Sequence, residues 1–398
     1  MLEESEALQR ILGKVPPPAP EQVPLDQSIG RYATADLYAT LPLPGFDNSA
    51  MDDYALHAAD CGRSGISLTL SGEQPAGPSK NLTVRPGQTI RLFTGAPLPR
   101  DTAAVIMQED TLRSPDGLSI VLTETATTGE FIRWQGADLC AGQQILTAGC
   151  RVTPARLAVL ASQGLTVLPC AARPRAAVLT TGDELIPGGQ PLTSPGQLYN
   201  SNGPMLQALL QEAGASASAH HSPDHLETLT ETAHLLLAGN DLLVLAGGVS
   251  TGDHDLVKPA LEALGIPLEF WRVHLKPGKP FLFTTHQGKL IFGLPGNPAS
   301  AFVTAVLFLL PALRQLAGAS GPEVPPRTTP ATVTAAVHNS GGRPHYLRGH
   351  YQYSTASFTP IGLAQSHAAF ALAQSNALLR LAPGTSAAPG SLHPVVLF

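Results

Sequence analysis

The chain has 398 residues, more than one ordinary domain holds, and its 43% hydrophobic content supports real cores and argues against wholesale disorder. A formal net charge of −6 sets bulk electrostatics against nucleic acid and anionic membranes, so an anionic ligand must be held by local groups. Cys61, Cys140, Cys150 and Cys170 form no C-x-x-C pair and lack histidines at zinc-finger spacing, which points to free thiols.

Residues 1–14 read as an amphipathic helix ended by the prolines at 16–18. The acidic start lacks the basic and apolar regions of a signal peptide, so a cytoplasmic location is expected. Residues 24–31 suggest a short helix bounded by Gly30. From 41 to about 138 the texture is β-like, with short runs at 66–70, 89–92, 103–108 and 119–122 between turn clusters. Residues 153–164 form a helix pattern with Thr153 as cap, Pro154 in the first position and Gly164 at the end.

From 175 onward strands at 176–180, 242–246 and 290–294 alternate with helices at 203–213, 226–237, 256–264 and 298–317, the pattern of a parallel doubly wound sheet. The longest apolar run, 301–313, contains Pro311 and is too short to span a bilayer. Beyond the Pro-rich stretch 322–326, strands at 331–337, 377–381 and 394–398 suggest a small C-terminal β domain. Four parts are therefore expected: a helical or extended linker from 1–44 and 139–173, a β-rich module at 45–138, an α/β domain at 174–321 and a β domain at 322–398.

Three strand-to-loop transitions in the α/β part carry special residues. They are 178–184, ending in Gly182, Asp183 and Glu184; 242–255, with Gly247, Gly248, Ser250, Thr251, Asp253 and Asp255; and 292–300, with Pro295 and Asn297. Bare glycine backbone and short polar side chains at the carboxyl ends of parallel strands suit an anionic ligand. Neither G-x-G-x-x-G in strand–helix context nor a Walker lysine motif is present. Lysines are scarce, which singles out Lys276 and Lys279 in one turn framed by Pro277, Gly278 and Pro280, suited to phosphate or molybdate. Asp183, Glu184, Asp253 and Asp255, with Asp224 near, supply carboxylates for Mg²⁺, which takes one or two of them plus ligand phosphates and water. Helix capping is the competing use of Asp253 and Asp255. The loop 42–54, holding Asp47, Asp52 and Asp53, and the loop 93–97 are too rich in special residues for plain connections. His220, His221 and His225 read as surface-loop residues.

Taken together, segments 42–54, 93–97 with 105–109, 181–185, 200–204, 247–255, 276–280 and 293–298 resemble the MoeA-type molybdopterin molybdenumtransferases, which include the gephyrin E domain, nearly end to end. The resemblance implies a MogA-like α/β molybdopterin-binding domain, a β-rich inserted module, a linker and dimerisation domain and a C-terminal β-barrel-like domain. It implies Mg²⁺-dependent insertion of molybdate into adenylylated molybdopterin, releasing AMP and leaving Mo-molybdopterin. Position by position, it assigns catalytic roles to Asp52, Thr94, Glu184 and Asp255, with Glu184 and Asp255 on the metal. Asn202, Gly247, Gly248, Ser250, Lys276, Lys279, Pro295, Asn297 and, in less distinctive surroundings, Arg348 would bind substrate, and Asp224 matches in the same weaker way. It further implies a homodimer with sites between subunits, working with a molybdopterin adenylyltransferase and apo-molybdoenzymes.

Two positions depart from the family. Asp53 stands where glycine is usual, which implies either a left-handed backbone or an added carboxylate at the site. Arg272 stands where lysine is familiar. Two other readings stay open: a molybdopterin-binding scaffold without turnover, favoured by Asp53, and a molybdopterin adenylyltransferase, against which the loop 48–54 and the flanking β modules argue.

Overall fold

The computed structural model describes residues 1–249, 255–362 and 368–398. They divide into two units, one of residues 1–35, 147–158 and 165–398, the other of 36–146 and 159–164.

In the first unit a six-stranded sheet has the order Ser216–Ser222, Arg175–Thr181, Leu242–Ala246, Lys289–Leu294, Leu282–His286, Phe270–Trp271. The first four strands pair in parallel, and Leu282–His286 runs antiparallel to both of its neighbours, so the sheet is mixed rather than wholly parallel. Strands covered on both faces need apolar side chains throughout, and every residue of Leu242–Ala246 is buried. One face carries Val178, Val244 and Phe292 against Leu206, Phe308 and Ile11. The other packs Leu179, Leu243 and Ile291 against Leu229, Ala233 and Leu261. Each buried Val, Leu, Ile or Phe among them contributes roughly 1.5–3 kcal/mol. The strand Ser216–Ser222 escapes the sequence reading because an edge position lets it be small and polar. His220 and His221 therefore lie on a strand rather than in a surface loop.

Pro298–Leu316 is one helix of 19 residues, with a π turn at Ala305–Leu309 inside it. It is long and apolar enough to cross a membrane by length and composition, which corrects the expectation drawn from 301–313. Yet 89% of its apolar window is buried inside the protein, so it is the core helix of this unit. Glu4–Leu12 lays Ala7 and Ile11 into the same core. The region 24–31 forms only a single 3-10 turn, Leu25–Gln27. Helix Pro154–Ser162 starts as expected, with the Thr153 hydroxyl accepting from Arg156 N at 3.3 Å.

Also in this unit, Thr328–Val333, Ser357–Pro360, His345–Gln352, Ala377–Leu381 and Leu392–Leu397 close a barrel. Its core includes Val333, Phe358, Leu379 and Val395. Gly349 is required there, because a Cβ would collide with the Phe358 ring.

The second unit holds another six-stranded sheet, in the order Thr102–Ile106, Tyr54–His57, Gln88–Leu92, Ser67–Gln74, Ser119–Leu122, Thr111–Arg113. The pair Ser67–Gln74 and Gln88–Leu92 is parallel and the rest antiparallel. Leu56, Leu68, Ile106 and Ile120 fill one of its cores.

Candidate functional site

Parallel register brings the carboxyl ends of Arg175–Thr181, Leu242–Ala246 and Lys289–Leu294 to one sheet edge. Gly247 donates its N–H to Leu294 O at 3.1 Å and sits at φ +100°, where a Cβ would lie 2.8 Å from Thr181 O. Gly248 follows at φ +60°. Gly296 closes in from the third strand, its Cβ direction meeting Gly247 Cα at 3.7 Å. Three backbones thus approach one another with no side chain between them.

Polar groups around this edge separate into braces and open groups. Thr181 Oγ1 donates to Asp224 Oδ1 at 2.6 Å, and Asp224 N donates to Asp183 Oδ1 at 2.9 Å. Asp183 and Asp224 therefore staple the turn after the first strand. Asn200 Nδ2 donates to Thr180 Oγ1 at 2.7 Å, and Asn202 Nδ2 to Gly296 O at 2.6 Å. Asn202 Oδ1 is buried with no partner among the described residues, an acceptor left over for a ligand. The exposed Glu184 carboxylate folds over Gly182, where a Cβ would lie 2.6 Å from Oε2, and no hydrogen bond or ion pair engages it among the described residues. An exposed carboxylate beside bare backbone fits a Mg²⁺ that shares ligand phosphates. Asp255 lies just before helix Val257–Ala263 and Pro295 is buried at the end of the third strand, with Asn297 as the N-cap of the long helix. No three His, Cys, Asp or Glu side chains converge as a ready metal cage among the described residues. Ser250, Thr251 and Asp253 lie outside them.

The cationic turn is not left to solvent. Lys276 N donates to Pro344 O, and Tyr346 N donates to Lys276 O, both at 2.8 Å. Arg343 Nη1 donates to Leu275 O at 3.0 Å. These bonds staple the turn to barrel strand His345–Gln352. A cavity of about 210 Å³ opens beside it, lined by Pro277, His338, His345, Arg348 and Ile361. Arg348 is only 6% exposed and donates to Ala368 O at 2.9 Å. The ammonium groups of Lys276 and Lys279 have no hydrogen-bond or ion-pair partner among the described residues, so their charge is available to an anion.

His345, which the sequence reading missed, is buried at 5% exposure. Burial first, then the charges of Lys276, Arg348 and Arg343, hold its imidazole at about 4, below the usual 6.5. The depressed value means that the unfolded chain takes up a proton before the folded one. Stability from this residue is full above pH 6.5 and is lost as pH falls from there through 4, by about 3 kcal/mol at most. Thermal melts of His345→Gln are expected to show a flatter pH dependence across that window than the parent. Parallel curves would contradict the assignment.

In the second unit, the loops 49–54 and 93–96 meet. Asp52 is exposed, and its Oδ1 accepts from Thr94 N at 2.5 Å and from Thr94 Oγ1 at 2.7 Å. The Thr94 backbone N–H first, then its hydroxyl, holds the Asp52 carboxyl below its ordinary range. Asp52 is thus a fixed, exposed negative charge.

Asp53 turns the other way. It is 3% exposed, its Oδ1 accepts from Gln108 N at 2.8 Å, and its Oδ2 has no partner among the described residues. It is not among the residues with left-handed φ. Both explanations drawn from the sequence are therefore corrected: the position demands no left-handed backbone, and the carboxylate points into the protein. Burial raises its carboxyl above the ordinary value, helped by Glu109, Asp52 and Asp110. A raised acid costs stability at neutral pH, and the cost disappears as pH falls through the raised value. Asp53→Asn is expected to raise stability at pH 7 by about 1 kcal/mol, with the gain shrinking on acidification. A lower Tm at pH 7 would contradict this.

The fold and these loops define a multi-part protein whose α/β domain presents a bare glycine edge at the carboxyl ends of its parallel strands. The sequence matches the MoeA N-terminal region (domain I and II) over residues 2–164, a probable molybdopterin binding domain over 177–315 and the MoeA C-terminal region (domain IV) over 330–398. It is 36% identical over 370 residues to molybdopterin molybdenumtransferase 2 of Mycobacterium tuberculosis, covering 90% of each chain. It is 33% identical over 393 residues to the molybdopterin molybdenumtransferase of Haemophilus influenzae, covering 96% of this chain and 94% of that one. The structure overlays the molybdopterin biosynthesis MoeA protein of Pyrococcus horikoshii with a TM-score of 0.86 at 26% identity, over the full length of both. The chain belongs to the molybdopterin molybdenumtransferase (MoeA) family.

Proposed function

We propose that this protein is a transferase of molybdenum cofactor biosynthesis, inserting molybdate into adenylylated molybdopterin with Mg²⁺ and releasing AMP. The observation that carries this reading is the presence, within one unit, of a bare glycine edge and of a lysine turn docked beside an arginine-lined cavity. Gly247, Gly248 and Gly296 let the strand-end backbones pack closely, so that peptide groups rather than side chains would meet an anionic ligand, and Asn202 Oδ1 offers it an acceptor. Arg348 lines the cavity, and Lys276 and Lys279 of the adjoining turn would add positive charge for molybdate or phosphate oxygens. Ser250, Pro295 and Asn297 complete the binding set. Glu184 and Asp255 would hold Mg²⁺, which offsets charge on the phosphoanhydride as it is cleaved. Asp52, kept ionised by Thr94, would orient the attacking oxygen or add to the metal's shell.

The protein acts as a cytoplasmic homodimer in this reading, with the Asp52 loop of one subunit serving the α/β domain of the other. The four-part division at 1–44 with 139–173, 45–138, 174–321 and 322–398 goes with it. A molybdopterin adenylyltransferase would supply the substrate and apo-molybdoenzymes would take the product. Purified protein given adenylylated molybdopterin, molybdate and Mg²⁺ is expected to yield cofactor that activates an apo-molybdoenzyme. Tight binding without turnover would select a scaffold instead, and consumption of ATP with free molybdopterin would select an adenylyltransferase.

A further inference from the structure

The first residues of the chain reach the segment that leads into the Lys276 turn and the barrel strand that carries Arg348. Leu2 bridges Val273, and His274 N donates to Leu2 O at 2.8 Å. Glu3 Oε1 accepts from His274 Nδ1 at 2.9 Å, two residues before Lys276. Glu4 turns to the barrel. Its Oε2 accepts from Tyr346 Oη at 2.9 Å, and its Oε1 pairs with Arg380 of the neighbouring strand. Tyr346 is 7% exposed, and its own backbone N–H holds Lys276 O. A single side chain thus sits between the Glu4 carboxylate and the lysine turn. Helix Glu4–Leu12 cannot drift from this position, because Ala7 and Ile11 are fully buried in the α/β core.

We infer that Glu4 is a positioning residue for oxyanion binding, setting the spacing between Lys276 and Arg348 through Tyr346 and Arg380. The inference rests on the proposed function only in taking molybdate as the anion. Arg348 lies two residues along the strand from Tyr346, so the anchored tyrosine holds the backbone that carries both cations. Neutralising Glu4 removes neither cation but loosens the distance between them. Weak, flexible charge spacing costs affinity rather than the chemical step.

The test is molybdate binding by calorimetry together with the kinetics of AMP release, in Glu4→Gln and Tyr346→Phe. Both variants are expected to bind molybdate about tenfold more weakly and to raise its KM alike, with kcat at saturating molybdate unchanged. Tyr346→Phe keeps the Glu4–Arg380 pair, so it carries the comparison if Glu4→Gln folds poorly. Glu6→Gln removes an exposed pair with Arg10 on the same helix and should change neither constant. A lower Tm with unchanged molybdate affinity and KM would reduce Glu4 to a structural tie and overturn the inference. Parent protein that binds molybdate yet releases no AMP would break the functional reading and leave the binding comparison standing. Parent protein that binds no molybdate would overturn both.

Discussion

Asp52→Asn is expected to slow AMP release by about a hundredfold or more while leaving the melting curve close to that of the parent. Asp52 is exposed and fills no core, so its loss opens no cavity. Asparagine can still accept both Thr94 donors, so the loop geometry survives and only the charge is removed. Thr94→Val probes the same link from the other side. It deletes the hydroxyl donor and keeps the backbone one, so it should cost less than Asp52→Asn. Turnover of Asp52→Asn near the parent's would remove Asp52 from the mechanism.

The second large effect belongs to Gly247→Ala. Its φ of +100° is strained for any L side chain, and the added methyl would lie 2.8 Å from Thr181 O. Backbone cannot swing aside as a side-chain tip can, so the strand ends must spread. A stability loss of roughly 1–3 kcal/mol is expected, together with loss of adenylylated-molybdopterin binding. Gly188→Ala makes a sharp control, because nothing lies within 4 Å of its Cβ direction and its φ is not left-handed. It should bind as the parent does. Normal ligand binding by Gly247→Ala would show that the strand-end backbone is not where the ligand lies.

These two positions mark what the sequence made legible. Gly247 stood out because an apolar run of strand length stops at two glycines, where the chain either simply turns or lets another backbone or a ligand approach closely. The alternation of strands and helices from 175 onward was equally plain, since buried parallel strands must be apolar along their whole length. Ser216–Ser222 was not, because its hydrogen bonds come from a neighbour that no local pattern reveals. The strand His345–Gln352 hid for a related reason: His345 and Arg348 are polar yet line a cavity rather than a solvent face, which breaks the inside–outside alternation.

The site shows the same division. Lys276 and Lys279 were identifiable as cations on a stiff turn, but their docking against the barrel depends on a strand some seventy residues downstream. His345 therefore had no signal of its own. Asp53 misled because a carboxylate in a polar loop reads as exposed. Only tertiary packing turns it inward, toward Gln108 N. Asp183 and Glu184 are adjacent carboxylates that residue chemistry alone does not separate, and only the resemblance favoured Glu184; in the structure Asp183 is spent bracing Asp224 and Glu184 lies open. Which carboxylate is free is a matter of hydrogen-bond accounting in three dimensions.

The most direct test of the central claim is a single-turnover assay with adenylylated molybdopterin, Mg²⁺ and molybdate, following AMP and pterin-bound molybdenum together. The account predicts that the two appear in equal amounts, and that both fall away when molybdate is omitted or Asp52 is replaced by asparagine. AMP formed at full rate without any molybdenum transferred to the pterin, or no AMP at all from a well-folded parent, would contradict it.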